Sequence, residues 1–380
     1  MATPSPTRRD FLALSGTSLL GLAGCDGPAS PAIIPKTTLG ITGPQFTLNG
    51  KPTFLLGCSY YAALGAQDGT WKSDLDELQR LGFNWIRMWA TWASFDNDIS
   101  AVHPKTGKAR QPYLDRLKAL LTDCDARGMV VDVSLSRGNS VTGPAKLQKH
   151  EAHAEAVRTL VSELKSWKNW YLDLSNERNL TDKRFCSYDE LVALAGISRS
   201  IDPGRLLTAS FAGDFSADDL QAYSQQVKVD FLSPHRPRES NSPAETESRT
   251  KEWRAATLKL GKELPVMHQE PFRRGYGFSP EVKDFLIDLE GAVRAGAGGW
   301  CFHQATPARP RMAARDGPSI CGMGRSSVNW TTWRNKPSPK WRPRSKPPKA
   351  RLRRSCRGWK SAAFFISCPD WLCGVVSLVS

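Results

Sequence analysis

The chain has 380 residues, is 40% hydrophobic and 23% charged, and carries a formal net charge of +15. Of that excess, +13 lies between Arg311 and Ser380, where 15 Lys and Arg face 2 acidic residues, so residues 1–310 are close to neutral. The basic balance therefore belongs to the tail, and no nucleic-acid partner is expected for the folded part.

Residues 1–25 read as a targeting segment, to be set aside before fold reasoning. Arg8 and Arg9 in "TRRDFLA" precede the apolar run "LALSGTSLLGLAG", which closes in "LAGC". The run is too short and too rich in small residues for an ordinary spanning helix. This order resembles a twin-arginine signal joined to a lipobox. The resemblance implies cleavage before Cys25, lipid on its thiol, and an exported bacterial lipoprotein on the periplasmic or cell-surface face of a membrane. The plainer alternative is a frayed terminus with a chance Arg-Arg pair. Residues 26–44 read as a linker.

Residues 45–310 read as one domain. "TGPQFTLNGKPTF" predicts a small hairpin with an Asn-Gly turn. Strands are then predicted at "FLLGC" (54–58), "FNWIRMW" (83–89), "MVVDVSL" (129–135), "WYLDLS" (170–175), "RLLTAS" (205–210), "VDFLS" (229–233), "LPVMH" (264–268) and "GGWCF" (298–302). Several are unbroken apolar runs, as parallel strands covered on both faces should be. Helical spacing falls between them, with Leu75, Leu78 and Leu81 on one face, then Val157, Leu160, Val161 and Leu164, then Val282, Phe285, Leu286, Leu289 and Val293. Eight βα units in order predict an α/β fold of the (β/α)8 TIM-barrel type. An open doubly wound sheet is the alternative, but no Gly-rich phosphate loop follows the first strand.

A barrel needs a closing eighth helix, yet Pro307, Pro310 and Pro318 interrupt the segment where it belongs. That helix is expected to be missing or replaced, leaving strands eight and one poorly covered and the enzyme impaired. Residues 311–380 read as a basic, Pro- and Arg-rich tail: a frame error that replaced the natural ending, a linker, or a genuine basic tail. Nine cysteines divide into Cys25, four in the tail and four in the body (Cys58, Cys124, Cys186, Cys301), without zinc-type pairs. Buried thiols are the default for the body four.

In this architecture a site forms where the strands end. The ends present Tyr60 and Tyr61, Arg87 with Trp89 and Trp92, Ser136 and Arg137, Asn176 and Glu177, His235 and Arg236, His268 and Glu270, and Trp300 and His303. Two carboxylates facing each other across such a mouth suit glycoside cleavage, one protonating the leaving oxygen while the other attacks the anomeric carbon.

The segments "SNERN", "VMHQEP", "FNWIRMW" and "GGWCFH" together resemble a clan A glycoside hydrolase of the cellulase-like (family 5-like) superfamily, over residues 45–305. The resemblance implies a retaining enzyme cleaving β-glycosidic bonds in an oligo- or polysaccharide, with no cofactor and no metal. Glu177 would be its acid/base and Glu270 its nucleophile. Asn176 would hold the sugar 2-hydroxyl, Arg87 would keep Glu270 ionised, and Trp300 would form the floor under the ring. Trp89, Trp92, Tyr60 and Tyr61 would line further subsites. Glu177 should hold a proton near neutral pH, which needs a dry or negative setting. One departure is plain: many relatives have His-x-Tyr after strand six, whereas this chain has "SPHRPRE". His235 or a strand-one Tyr would take over that contact. Arg137, Arg236 and Arg238 could recognise an acidic sugar, or serve as scaffold.

Two rivals remain open. A metal-dependent barrel hydrolase would draw its ligands from Asp132, His235, His268 and Glu270, but lacks the strand-one His-x-His that such enzymes often carry. A non-catalytic carbohydrate-binding homologue would use the same mouth without turnover.

Overall fold

The computed structural model describes residues 34–66, 69–94, 97–138, 144–271 and 278–303. The targeting segment with Cys25, the expected closing segment and the basic tail lie outside the described residues. No helix among the described residues is long and apolar enough to cross a membrane.

The fold opens on a three-stranded antiparallel sheet, β1 (Leu39–Thr42), β2 (Gln45–Leu48) and β3 (Lys51–Pro52). Asn49 (φ 50) and Gly50 (φ 79) make the turn between β2 and β3, with the two left-handed residues that match strand twist. The linker expected over 26–44 therefore ends too late. Leu39 N–H donates to the Lys168 carbonyl, and the Lys36 and Thr37 amides donate to the buried Asp125 carboxylate. The short β1 carries no apolar run, so nothing in its sequence separated it from a linker.

Parallel strands follow. β4 (Leu55–Ser59) and β5 (Trp85–Trp89) come first, then a small antiparallel excursion of β6 (Ala93–Ser94) and β7 (Asn97–Asp98). After it come β8 (Val130–Ser134), β9 (Trp170–Asp173), β10 (Leu207–Thr208), β11 (Phe211–Ala212), β12 (Pro234–His235), β13 (Met267–His268) and β14 (Gly299–Phe302). Seven of them form one sheet in the order β10-β9-β8-β5-β4-β14-β13, every pair parallel. The sheet curls so that its ends approach. β11 pairs with β12 in parallel, Leu232 bridges to Val266, and His235 bridges to Glu270. The sixth strand, expected over 229–233, hydrogen-bonds there to Leu207, Phe211, Pro265 and Met267, and its regular pairing, with β11, lies just beyond at Pro234–His235.

Helices cover the outside: α1 (Trp71–Arg80), α2 (Tyr113–Asp125), α3 (His150–Glu163), α4 (Tyr188–Ile201), α5 (Ala217–Gln221, running on as a π-helical turn Ala222–Val227), α6 (Ser242–Lys259) and α7 (Val282–Arg294). Their starts are chemically marked. Ser187 and Glu190 close a capping box on α4, and Ser216 and Asp219 do so on α5.

Period-two alternation divides the strands between two cores. Ile86, Met88, Val131, Val133 and Leu172 join the helices in the larger core. Leu55, Trp85, Val130, Tyr171, Phe231, Met267 and Cys301 point inward and pack with Phe46 from β2, which plugs the lower end. Phe46 and Phe231 meet edge to face at 5.0 Å. Gly57 makes room for this filling, since a Cβ there would lie 2.2 Å from the Trp85 ring. The four body cysteines are free and buried.

Candidate active site

The alternation that builds the inner core also selects the polar residues above it. Along β5, Trp85 fills the interior, Arg87 sits one layer higher, and Trp89 reaches the mouth. On β8 the sequence is Val130, Asp132, Ser134, and on β9 it is Tyr171, Asp173 and then the turn to Asn176.

Arg87 is the hub and is wholly buried. Its Nη1 donates to Glu270 Oε1 at 2.5 Å and its Nη2 to Asn176 Oδ1 at 2.6 Å. Asp132 lies 3.2 Å from Nε and Asp173 3.4 Å from Nη2, while the guanidinium lies 4.5 Å from the Trp89 ring centre. A buried cation is tolerable only when its charge is met: three carboxylates surround this one and both Nη atoms donate, while Nε faces Asp132 as an ion pair without a hydrogen bond. Asn176 Oδ1 also accepts from Trp89 Nε1 at 3.4 Å. With the amide oxygen so occupied, the NH2 of Asn176 is the half left for a ligand.

Glu177 and Glu270 meet above this hub. A carboxylate oxygen from each, together with His235 Nδ1, lie within 4.8 Å of one another. His235 Nδ1 is 3.4 Å from Glu177 Oε1 and 3.6 Å from Glu270 Oε1. Glu270 Oε2 faces His303 Nε2 at 3.1 Å and Arg238 Nη2 at 2.8 Å. Glu177 Oε2 is paired with Arg184, and its Oε1 lies 3.5 Å from Arg238. Glu177 has a left-handed backbone (φ 50), a conformation costly for a side-chain-bearing residue, and its N–H donates to Ser210 Oγ at 3.1 Å.

Burial pushes the Glu270 carboxyl up, but the positive charge of His235, His303 and Arg87 outweighs it and holds the group well below the usual carboxylate range. Glu177 departs from expectation. Burial and the charge of Glu270 raise its pKa, yet the His235 hydrogen bond and the charge of His235 and Arg238 leave it below its ordinary value. Three cationic side chains, His235, Arg184 and Arg238, converge on the proposed proton donor, and the two arginines arrive from loops, whose paths no periodicity marks.

A buried relay supports His235 from below. Asp132 Oδ2 accepts from Tyr171 Oη at 3.0 Å and from Gln269 Nε2 at 2.7 Å. Gln269 thereby turns its Oε1 toward His235 Nε2, 3.4 Å away, so that Nε2–H donates to the amide oxygen and Nδ1–H is the donor aimed at the two glutamates. Burial raises the Asp132 pKa to about 7 against the pull of Arg87.

Two residues chosen from the sequence lie elsewhere. Trp300 alternates outward on β14 into the helix-facing core, and its Nε1 donates to Asp288 on α7 at 2.6 Å. It cannot be a floor beneath a sugar at the mouth. Tyr60 likewise points outward, is fully buried, and donates to Asp74 on α1 at 2.8 Å. Tyr61, one position after Tyr60, and His303, three after Trp300, hold the inward places. Tyr61 stacks on Trp89 at 4.7 Å and 8°, Trp92 follows at 5.0 Å from Trp89, and Tyr61 Oη contacts the His303 ring at 3.2 Å. Ser59 Oγ is 2.7 Å from His303 Nδ1. This aromatic wall and His303 line the mouth, which Trp300 and Tyr60 do not.

His268 is outward too, bonded to Thr250 on α6 at 2.8 Å, and burial drives its pKa to about 3. Of the four ligands considered for a metal, His235 and Glu270 come together, and Glu177, not among the four, completes a triad of suitable spacing among the described residues. Arg87, Arg184 and Arg238 border that triad, a charge environment that opposes a cation.

Residues 40–203 match the family model described as Cellulase (glycosyl hydrolase family 5). The fold is shared with the endo-1,4-beta-mannanase from Rhizomucor miehei, at 14% identity, TM-score 0.56, over 73% of this chain and 95% of that one. It is shared also with a glycoside hydrolase family 5 from Bacteroides vulgatus ATCC 8482, at 17% identity, TM-score 0.55, over 80% and 70%. A third such structure, a Streptomyces cattleya protein in complex with Manb1-4GlcNAc, is 16% identical with TM-score 0.53, over 70% and 74%. Identities this low speak for the fold alone. No curated protein matches the chain in sequence.

Proposed function

We propose that this chain, which carries a glycosyl hydrolase family 5 (cellulase) domain, is a retaining β-glycoside hydrolase built on a (β/α)8 barrel and acting on mannan-type oligo- or polysaccharides. The observation that carries the reading is the approach of Glu177 and Glu270, one carboxylate oxygen of each lying within 4.8 Å of the other above a buried arginine, which supports the closer of the two spacings glycosidases use. Retention requires carboxyl groups about 5–5.5 Å apart, whereas inversion needs about 6.5–9.5 Å to admit a water. The mannan preference is supported by the names of fold neighbours, a mannanase and a protein holding a mannose-containing disaccharide.

In this mechanism Glu270, held ionised, attacks the anomeric carbon while Glu177 gives its proton to the departing oxygen. The C–O bond to the leaving sugar breaks and a Glu270–glycosyl ester forms. Glu177, now a carboxylate, takes a proton from water, which attacks the same carbon and frees Glu270. Asn176 offers its NH2 to the 2-hydroxyl, and the Tyr61–Trp89–Trp92 wall receives the apolar face of the sugar. Glu177 acquires its proton only as substrate displaces the cations around it. Export and a lipid anchor at Cys25 remain part of the proposal, supported by the order of Arg8, Arg9, apolar run and Cys25.

The test is reducing-sugar release from a panel of β-mannans, β-glucans, xylans and acidic glycans. Glu177→Gln and Glu270→Gln run beside the parent, with a thermal melt of each. Turnover by the parent and its loss in both folded variants is expected. Turnover that survives in a folded Glu270→Gln protein would defeat the proposal, and saturable glycan binding without turnover would favour a carbohydrate-binding homologue.

A further inference from the structure

We infer that the sugar bound at the cleavage point bears a carboxylate, and that Arg238, with Arg184 beside it, receives that carboxylate. This deepens the glycosidase reading and rests on it, narrowing the mannan-type substrate to a β-linked manno-configured sugar that bears a carboxylate.

The starting point is where Arg238 sits. Its Nη2 is 2.8 Å from Glu270 Oε2 and 3.5 Å from Glu177 Oε1, so the guanidinium occupies the gap between the two carboxyls. The anomeric carbon and the glycosidic oxygen must come into that same gap. Glu270 Oε1 is held by Arg87, so Oε2 is the oxygen that must attack, and Arg238 covers it. Arg238 therefore has to withdraw before any sugar reacts.

Withdrawal has a cost that depends on the substrate. The Arg238 side chain is only 18% exposed, so giving up two carboxylates is costly for this largely desolvated cation unless the substrate returns an anion. A neutral pyranose offers it hydroxyls; a sugar carboxylate offers two oxygens in the plane that suits the guanidinium fork. Arg184 is placed to share the load. It sits against Glu177, is 32% exposed, and is otherwise paired with Asp182.

The other arginines named from the sequence are not available for this. Arg137 is tied to Glu190 at 2.7 Å, to His153 at 3.0 Å and to the Phe185 carbonyl at 2.7 Å. Arg236 is fully buried against Asp214 and the Ser242 carbonyl. Both are scaffold. Capture of Arg238 by substrate would also remove one of the charges that keep Glu177 ionised, so that binding of the acidic sugar arms the proton donor.

The probes are β-1,4-linked oligomannuronates and the manno-oligosaccharides made from them by carboxyl reduction, which share backbone and length and differ only in the charge. Binding to the full chain is measured by calorimetry using the disaccharides, and hydrolysis using longer oligomers. The acidic disaccharide should bind at least about tenfold more tightly than its neutral partner, the range of a charge-assisted hydrogen bond. Arg238→Gln should bring the two within about threefold, and Arg238→Lys, which keeps the charge without the fork, should retain part of the difference. A thermal melt checks that each variant is folded. Equal or weaker binding of the acidic sugar, or an undiminished preference in folded Arg238→Gln, would overturn the inference. If the neutral oligomer is cut in a Glu177- and Glu270-dependent way without acidic preference, only this inference falls. If neither sugar is bound or cut, it falls together with the glycosidase reading for this substrate class.

Discussion

Replacing Arg87 by Met keeps much of the side chain's volume and removes its charge and donors. Glu270, Asp132 and Asp173 would then be carboxylates in a buried setting with their shared cation gone, and Asn176 Oδ1 would lose its 2.6 Å donor. Breaking a buried pair on one side costs about 3–5 kcal/mol. For a domain of this size that is a fall in Tm of roughly 6–20 °C. The loss should depend on pH in a defined sense. In the parent, Glu270 is held well below its usual value of 4.5, so its favourable contribution is complete above that value and is lost as pH falls through its folded pKa. In Arg87→Met, Glu270 and Asp132 have lost the cation that lowers them and take up protons at higher pH, which relieves the repulsion on acidification. The Tm gap between parent and variant should thus narrow from pH 7 to pH 5, read by thermal melts in matched buffers. A gap constant across that range, or no gap at all, would refute the view of Arg87 as the electrostatic hub.

Four further outcomes follow from the same geometry. Trp300→Phe removes the donor to buried Asp288 and should cost about 1–3 kcal/mol in Tm-derived stability, with kcat/KM changed less than about threefold. Trp89→Ala, by contrast, should depress kcat/KM at least about tenfold, since Trp89 contacts both Asn176 and the aromatic wall. The pH profile of kcat/KM should fall on its alkaline side at an acidic pH, because Glu177 must be protonated and lies below its ordinary pKa in the free enzyme. His235→Asn removes the hydrogen bond and charge that lower it and should move that limb upward; a downward move would contradict the assignment. Incubation with EDTA should leave turnover within about a factor of two, whereas its abolition and recovery with a divalent ion would reinstate the metal reading of the Glu177, His235 and Glu270 cluster.

The strands were legible because buried parallel strands announce themselves as apolar runs, and the helices because their apolar faces repeat. "SNERN" and "VMHQEP" were legible as strand ends, and the structure does bring Glu177 and Glu270 together. Trp300 and Tyr60 went astray for a reason already contained in the sequence. In "GGWCFH", inward Cys301 fixes His303, not Trp300, as the next inward residue. In "GCSYY", inward Gly57 and Ser59 likewise fix Tyr61 rather than Tyr60. Applying the two-residue period from the core outward would have found both. Arg184 and Arg238 had no such signal, since loop residues reach a site by the path of the loop and not by a period. Gln269 was hidden for another reason: its role depends on Asp132, 137 residues away, and on which end of its amide faces that carboxylate.

The central claim is a retaining displacement at Glu270 assisted by Glu177. The most direct measurement is the anomeric proton signal of the first product, followed by 1H NMR as the full chain cleaves a β-linked oligosaccharide that it turns over. The β anomer should appear first and mutarotate later, and folded Glu270→Gln should give no product. Initial release of the α anomer would mean inversion and would contradict the assignment of Glu270 as the nucleophile.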